Sequence, residues 1–169
     1  VAQTARELGA LTIAVVTKPF AFEGQQRSRI ADTGLSELEK EVDAIIIVPN
    51  DRLLSITSKD TSFKDAFAMS DEILRQAVEG ISELITTQGI VNIDFADIRS
   101  VMSNAGSAFM GIGSATGENR AEEAAYNAIN SPLLDVAISG AKGVLFAIAG
   151  GDDVTMHEVN SIAKIVTES

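Results

Sequence analysis

The run Leu11-Thr12-Ile13-Ala14-Val15-Val16, closed by Thr17-Lys18-Pro19, and the run Ala44-Ile45-Ile46-Ile47-Val48, closed by Pro49-Asn50-Asp51, decide the fold class. Each is short, rich in branched residues and stopped by a proline, which cannot donate to a ladder. Their apolarity is continuous, not alternating, as in strands of a parallel sheet covered on both faces. Between them Gln25 to Lys40 is polar and helix-compatible, interrupted by Gly34, and Val1 to Leu8 is helical in pattern and ended by Gly9. The order helix, strand, helix, strand predicts doubly wound α/β architecture. In such sheets ligands sit beyond the carboxyl ends of the strands, so the segments after Val16 and Val48 are the first places to search.

Further along, Ala66, Phe67, Ile73, Leu74, Ala77, Val78, Ile81, Leu84 and Ile85 recur at steps of three and four from about Ser62, which predicts one long helix ended by Gln88-Gly89. At 1.5 Å per residue it spans on the order of 35 Å, enough to link two domains. Beyond it a second unit is expected: a helix from Asp94 to about Asn104, a strand near Ser107 to Ile112, a helix from Arg120 to Asn130, a strand at Gly143 to Ile148, and a helix begun by Thr155 and Glu158 at capping-box spacing. The expected divisions are residues 1–61, the long helix 62–88, and 89–169. Two strands make a thin sheet, and the chain starts at Val1 directly in a helical pattern, so it reads as an internal stretch of a longer protein.

Composition narrows the chemistry. With 46% hydrophobic and 22% charged residues the chain is ordinary globular material. It has no cysteine and a single histidine, His157, which excludes disulfides, thiolate zinc sites and imidazole clusters. A net charge of −11 repels a phosphate backbone, so nucleic acid is not an expected partner. No apolar run reaches the roughly 20 residues that span a bilayer and no signal-like segment opens the chain, so direct membrane insertion is not expected and a cytoplasmic location is.

Three groups of residues invite chemistry. Gly111-Ile112-Gly113-Ser114-Ala115-Thr116-Gly117 precedes a helix, as a phosphate loop does, but no lysine follows and Glu118, Glu122 and Glu123 crowd the same end, which favours a strand end and turn. Asp94 and Asp97 share a helix face at its start and could orient a water or hold a cation; equally, Asp94 could cap the helix and Asp97 stabilise its first turn. Asn50, after the second strand, and Asp71, early on the long helix, could touch one ligand, and a carboxylate matches the paired N–H donors of the guanine N1 and N2 edge; the plain alternative is a turn asparagine and an exposed helix aspartate.

Thr17-Lys18-Pro19-Phe20, Phe22-Glu23-Gly24 with Arg27, Pro49-Asn50-Asp51, Asp65-Ala66-Phe67, Asn92-Ile93-Asp94-Phe95-Ala96-Asp97 and Gly117-Glu118-Asn119-Arg120-Ala121-Glu122-Glu123-Ala124-Ala125 occur in the order found in the FtsZ family of tubulin-like cell-division GTPases. The chain resembles that family along essentially its whole length. The resemblance implies the second half of a doubly wound nucleotide-binding domain, a long central helix and a truncated second α/β domain. It implies binding of GTP and GDP, with Mg2+ accompanying GTP, head-to-tail self-assembly into filaments at the division site, and contacts with division-ring proteins through regions mostly outside this chain. By the same resemblance Glu23 and Arg27 lie near the ribose and phosphates, Asn50, Phe67 and Asp71 surround the base, and Asn92, Asp94 and Asp97 enter the next subunit's pocket to act on its GTP. The family's glycine-rich phosphate loop precedes the position of Val1, so this chain alone is expected to lack full nucleotide affinity and turnover. A non-catalytic assembly module derived from such a GTPase is the alternative, and a dinucleotide enzyme is disfavoured by the absence of a G-x-G-x-x-G turn.

Overall fold

The computed structural model describes residues 1–54, 61–86, 94–131, 141–151 and 153–169. A short helix α1, Ala2–Glu7, leads into strand β1, Ile13–Lys18. A 3-10 turn, Ala21–Glu23, and helix α2, Gln25–Leu38, return the chain to strand β2, Ala44–Pro49. Helix α3, Asn50–Leu54, follows directly, and helix α4 then runs from Phe63 to Thr86 over 24 residues. The stop expected at Gln88-Gly89 lies outside the described residues. Helix α5, Phe95–Met102, and strand β3, Gly106–Ala108, complete this part.

The three strands form one parallel sheet in the order β1-β2-β3, with Ile13 opposite Ala44 and Ala44 opposite Gly106. The middle strand has a neighbour on each side, and Ala44, Ile45, Ile46 and Val48 are buried, as its unbroken apolar run requires. β1, with one neighbour, is half-buried along its length. Helix α4 packs on β1, and its buried residues Ala66, Ser70, Ile73 and Ala77 form one face at steps of three and four. Fully burying a side chain such as Ile45 or Leu53 contributes about 1.5–3 kcal/mol.

Chain contacts divide the described residues into two units, 1–109 and 110–169. The helix and strand expected to open a second domain after the long helix therefore fold with the first. The cause is a set of long-range bonds: β3 pairs with β2, and Arg99 of α5 donates to the Gly9 carbonyl at 2.6 Å.

In the second unit helix α6, Arg120–Ile129, packs on helix α7, Met156–Glu168, with Ala121 and Ala125 buried. The expected capping box at the start of α7 is present: Thr155 Oγ1 accepts from the Glu158 N–H at 3.2 Å, and Glu158 accepts from the Thr155 N–H at 2.7 Å. Residues 143–148, expected as a strand, lie in no ladder; an apolar run becomes a strand only where a partner meets its N–H and C=O groups. The glycine-rich stretch before α6 has a packing role. A Cβ on Gly113 would collide with the Ala124 carbonyl and the Ala128 backbone nitrogen, so the backbone lies directly on α6.

Arg120 joins the two helices, with Nε 2.6 Å from Glu158 Oε1 and Nη1 2.7 Å from Asp153 Oδ2. Hydrogen bonds from Arg120, then from Thr155, pull the Glu158 carboxyl from 4.5 down to about 2. A depressed carboxylate stabilises the fold above its unfolded value, and that contribution fades as the pH falls through its folded value. The melting temperature is expected to fall between pH 4.5 and 2 more steeply in the wild type than in Glu158→Gln. Thermal melts across that window that run parallel in the two proteins would show that the Arg120 clamp does not couple to folding.

Candidate functional site

Because β1 and β2 are parallel and in register, the segments leaving them emerge at the same edge of the sheet. After β1 the chain turns through Pro19 and the buried Phe20 into the 3-10 turn that carries Glu23. After β2 it enters α3 at Asn50. The two connections are joined there: Asp51 Oδ1 accepts the Ala21 backbone N–H at 2.9 Å.

Asn50 is buried, 5% exposed, and its amide oxygen accepts from Ser70 Oγ at 2.7 Å. That bond brings the start of α4 to this edge. Ser70 stands between two candidates, with Phe67 one turn before it and Asp71 beside it; residues 67, 70 and 71 share a helix face. The Phe67 ring lies 5.2 Å from Phe20, edge to face, and 5.0 Å from Phe63. Phe22 stacks on Phe20 at 4.9 Å and meets Phe63 at 4.9 Å, so four rings make a continuous apolar wall. Asp71 is exposed and makes no hydrogen bond or ion pair among the described residues.

Glu23 and Arg27 divide their work. The Glu23 carboxylate is nearly covered; it accepts from the Phe20 N–H at 2.9 Å and pairs with Arg27 at 3.1 Å. It braces the turn. The Arg27 side chain is 73% exposed, and a pair this open to solvent holds it by about 0–1 kcal/mol, little enough for a ligand anion to compete.

Asp94 and Asp97 lie elsewhere. Asp94 is the N-cap of α5 and accepts from the Ala96 N–H at 3.2 Å, while Asp97 is exposed in the first turn. Arg99, two residues on, is tied to Gly9, and the Asn104 N–H reaches Asp43 at 3.4 Å. Gly9 precedes β1 and Asp43 precedes β2, so α5 is fastened at the amino edge of the sheet. At about 3.3 Å per residue the six-residue β2 alone separates the two edges by about 17 Å. Glu23, Arg27, Asn50, Phe67 and Asp71 are thus gathered at one edge, and Asp94 and Asp97 are anchored at the other. Asn92 lies outside the described residues. A polar recess of about 230 Å³ lined by Arg6, Lys40, Asp43 and Asn104 also opens at the amino edge and contains none of the candidates.

The sequence reading missed Ser70 as the partner of Asn50, although its place three residues after Phe67 was visible. It also missed Phe63 in the aromatic wall; the signal was its spacing of four from Phe67.

Residues 1–58 match the GTPase domain of the Tubulin/FtsZ family, and residues 106–169 match the C-terminal domain of the FtsZ family. The chain belongs to the tubulin/FtsZ family. Among solved structures it is similar to an FtsZ from M. jannaschii described as an empty dimer, with a TM-score of 0.92 and 44% identity over 98% of this chain and 48% of that one. It is equally similar to the W319Y mutant of FtsZ from M. jannaschii, at 0.92 and 44% over 98% and 50%. The chain therefore spans about half the length of these FtsZ relatives. The parallel α/β sheet and long central helix are those of the FtsZ fold.

Removing the hydroxyl in Ser70→Ala leaves the buried Asn50 oxygen without its donor and is expected to lower stability by about 1–3 kcal/mol. Urea denaturation of the two forms of the chain measures this, and coincident curves would mean that Asn50 is held by something else.

Proposed function

We propose that this chain is part of a GTPase that assembles head to tail into the filaments of a cell-division ring, each subunit binding GTP at the carboxyl edge of its sheet and acting on its neighbour's GTP from the amino edge. The supporting observation is the separation of the two candidate groups to opposite edges of one sheet. One molecule cannot fold Asp97 onto its own base-binding face, whereas a second molecule stacked in the same orientation presents its amino edge to the first one's carboxyl edge. A heterologous contact of this kind propagates into a filament. The dimeric description of the M. jannaschii relative is in keeping with self-association.

In this reading Phe67 offers a ring face to the base, supported from behind by Phe20 and Phe63. The free Asp71 carboxylate accepts the N1 and N2 hydrogens of guanine, a pair adenine does not present. Asn50, fixed by Ser70, contacts the base, and Arg27 meets the ribose or phosphate side. The carboxylates of Asp94 and Asp97 orient the water that attacks the γ-phosphate across the junction and accept its hydrogen bonds. Among the described residues no three carboxylates or imidazoles converge, so these residues do not fit a Mg2+ site made by protein alone. No helix among them is long and apolar enough to cross a membrane.

Two substitutions, made in a polypeptide of the relatives' full length carrying this chain, test the halves separately. Asp71→Ala is expected to weaken GTP binding by roughly 1.5–3 kcal/mol per lost hydrogen bond and to relax discrimination against other purine nucleotides. Nucleotide titrations with unchanged affinity and selectivity would remove Asp71 from the site.

Asp97→Asn is expected to bind GTP and assemble normally but hydrolyse slowly. Mixed with Asp71→Ala, it should recover part of its turnover, because some junctions then join an intact acidic turn to an intact pocket. Near-normal hydrolysis by Asp97→Asn alone would reduce Asp97 to a helix-end residue, since asparagine is tolerated at helix starts. Slow hydrolysis without recovery in verified co-filaments would count against the cross-subunit arrangement.

A further inference from the structure

We infer that Asp43 is a positioning residue for the acidic turn, holding α5, and with it Asp94 and Asp97, at the amino edge of the sheet; this rests on the reading of Asp97 given above. Asp43 sits one residue before β2 and is half-buried. Its Oδ2 accepts the Thr12 backbone N–H at 2.9 Å, at the start of β1. Its Oδ1 faces the Asn104 backbone N–H at 3.4 Å, a long and weaker bond, just beyond the end of α5. One carboxylate thereby staples three segments of chain: the starts of β1 and β2 and the exit from α5.

The connector it grips is an unusual one. Asn104 has φ 52 and Gly106, the first residue of β3, has φ 71, so two of the three residues that lead from the connector into the strand are in the left-handed region. Asparagine is among the few side chains that tolerate it. Such a turn fixes the direction in which α5 leaves the sheet only if its amides are held. The backbone helps on both sides: Asp43 N–H donates to the Thr12 carbonyl at 2.8 Å, and the Gly106 N–H donates to the Asp43 carbonyl at 3.0 Å. These backbone bonds remain when the side chain is changed to alanine or asparagine. What a substitution removes is the acceptor of the Thr12 N–H and the grip on Asn104; for α5 the second loss leaves the Arg99 to Gly9 bond as its other hydrogen-bonded tether.

A displacement of about 1 Å at a group that orients a reactant can cost roughly 100-fold in rate. In the full-length polypeptide, Asp43→Ala is expected to lower kcat for GTP by about 10- to 100-fold, with nucleotide affinity unchanged, because the pocket at the opposite edge is untouched. Asp43→Asn keeps one acceptor but sets an NH2 against the second N–H, so its kcat should fall between wild type and Asp43→Ala; it also carries the test if Asp43→Ala does not fold. Mixing either variant with Asp71→Ala in co-filaments should restore turnover, which locates the defect in the acidic turn. Wild-type kcat in both Asp43 variants while Asp97→Asn is slow would overturn the positioning role alone. Wild-type kcat in Asp97→Asn as well would remove the reading beneath it. Loss of GTP affinity, or no recovery on mixing, would show a general structural role and also overturn the proposal.

Discussion

The in-register parallel ladder between Ile13–Lys18 and Ala44–Pro49 is the constraint on which the rest of the first unit depends. Parallel pairing sends both strands the same way, so the loop with Glu23 and the helix start at Asn50 must arrive together. An antiparallel pair would have put them at opposite edges. Pairing β3 on the far side of β2 buries the Ala44–Val48 run and leaves the two edges of the sheet chemically different. Polar and aromatic side chains meet at the carboxyl edge, and at the amino edge a carboxylate collects backbone amides.

The same geometry explains why the candidate residues form two halves instead of one site. The Ser70 bond fixes the early part of α4 beside Asn50, and from there to Thr86 the helix, at 1.5 Å per residue, carries the chain about 24 Å away. Once Arg99 and Asn104 fasten α5 to the strand starts, its acidic first turn belongs to the far edge.

The second unit is held by different means. Small residues Ala121 and Ala125 let α6 and α7 approach, Gly113 lets a loop lie on the backbone of α6, and Arg120 ties the helices through Glu158 and Asp153. The conspicuous glycines and acids of this region therefore have structural work. Gly113 is a contact point, and Glu158 serves its own helix cap and the partner helix at once.

What the sequence determined by itself was everything whose physics is local. The branched runs stopped by Pro19 and Pro49, the three-four spacing of Ala66 to Ile85 and the Thr155-Glu158 box involve residues within a turn or strand of one another, so their periodicity and end signals were sufficient. What only the tertiary structure decided depends on partners far apart in the chain. Residues 143–148 have the composition of a strand yet join no ladder, while the strand expected near Ser107 to Ile112 is one only over Gly106–Ala108, where β2 lies beside it. The Ser70 bond spans 20 residues, the Thr12 and Asn104 bonds of Asp43 span 31 and 61, and the Arg99 bond spans 90. No spacing rule encodes such pairs, because their energy exists only after the sheet has brought the partners within about 3 Å of each other.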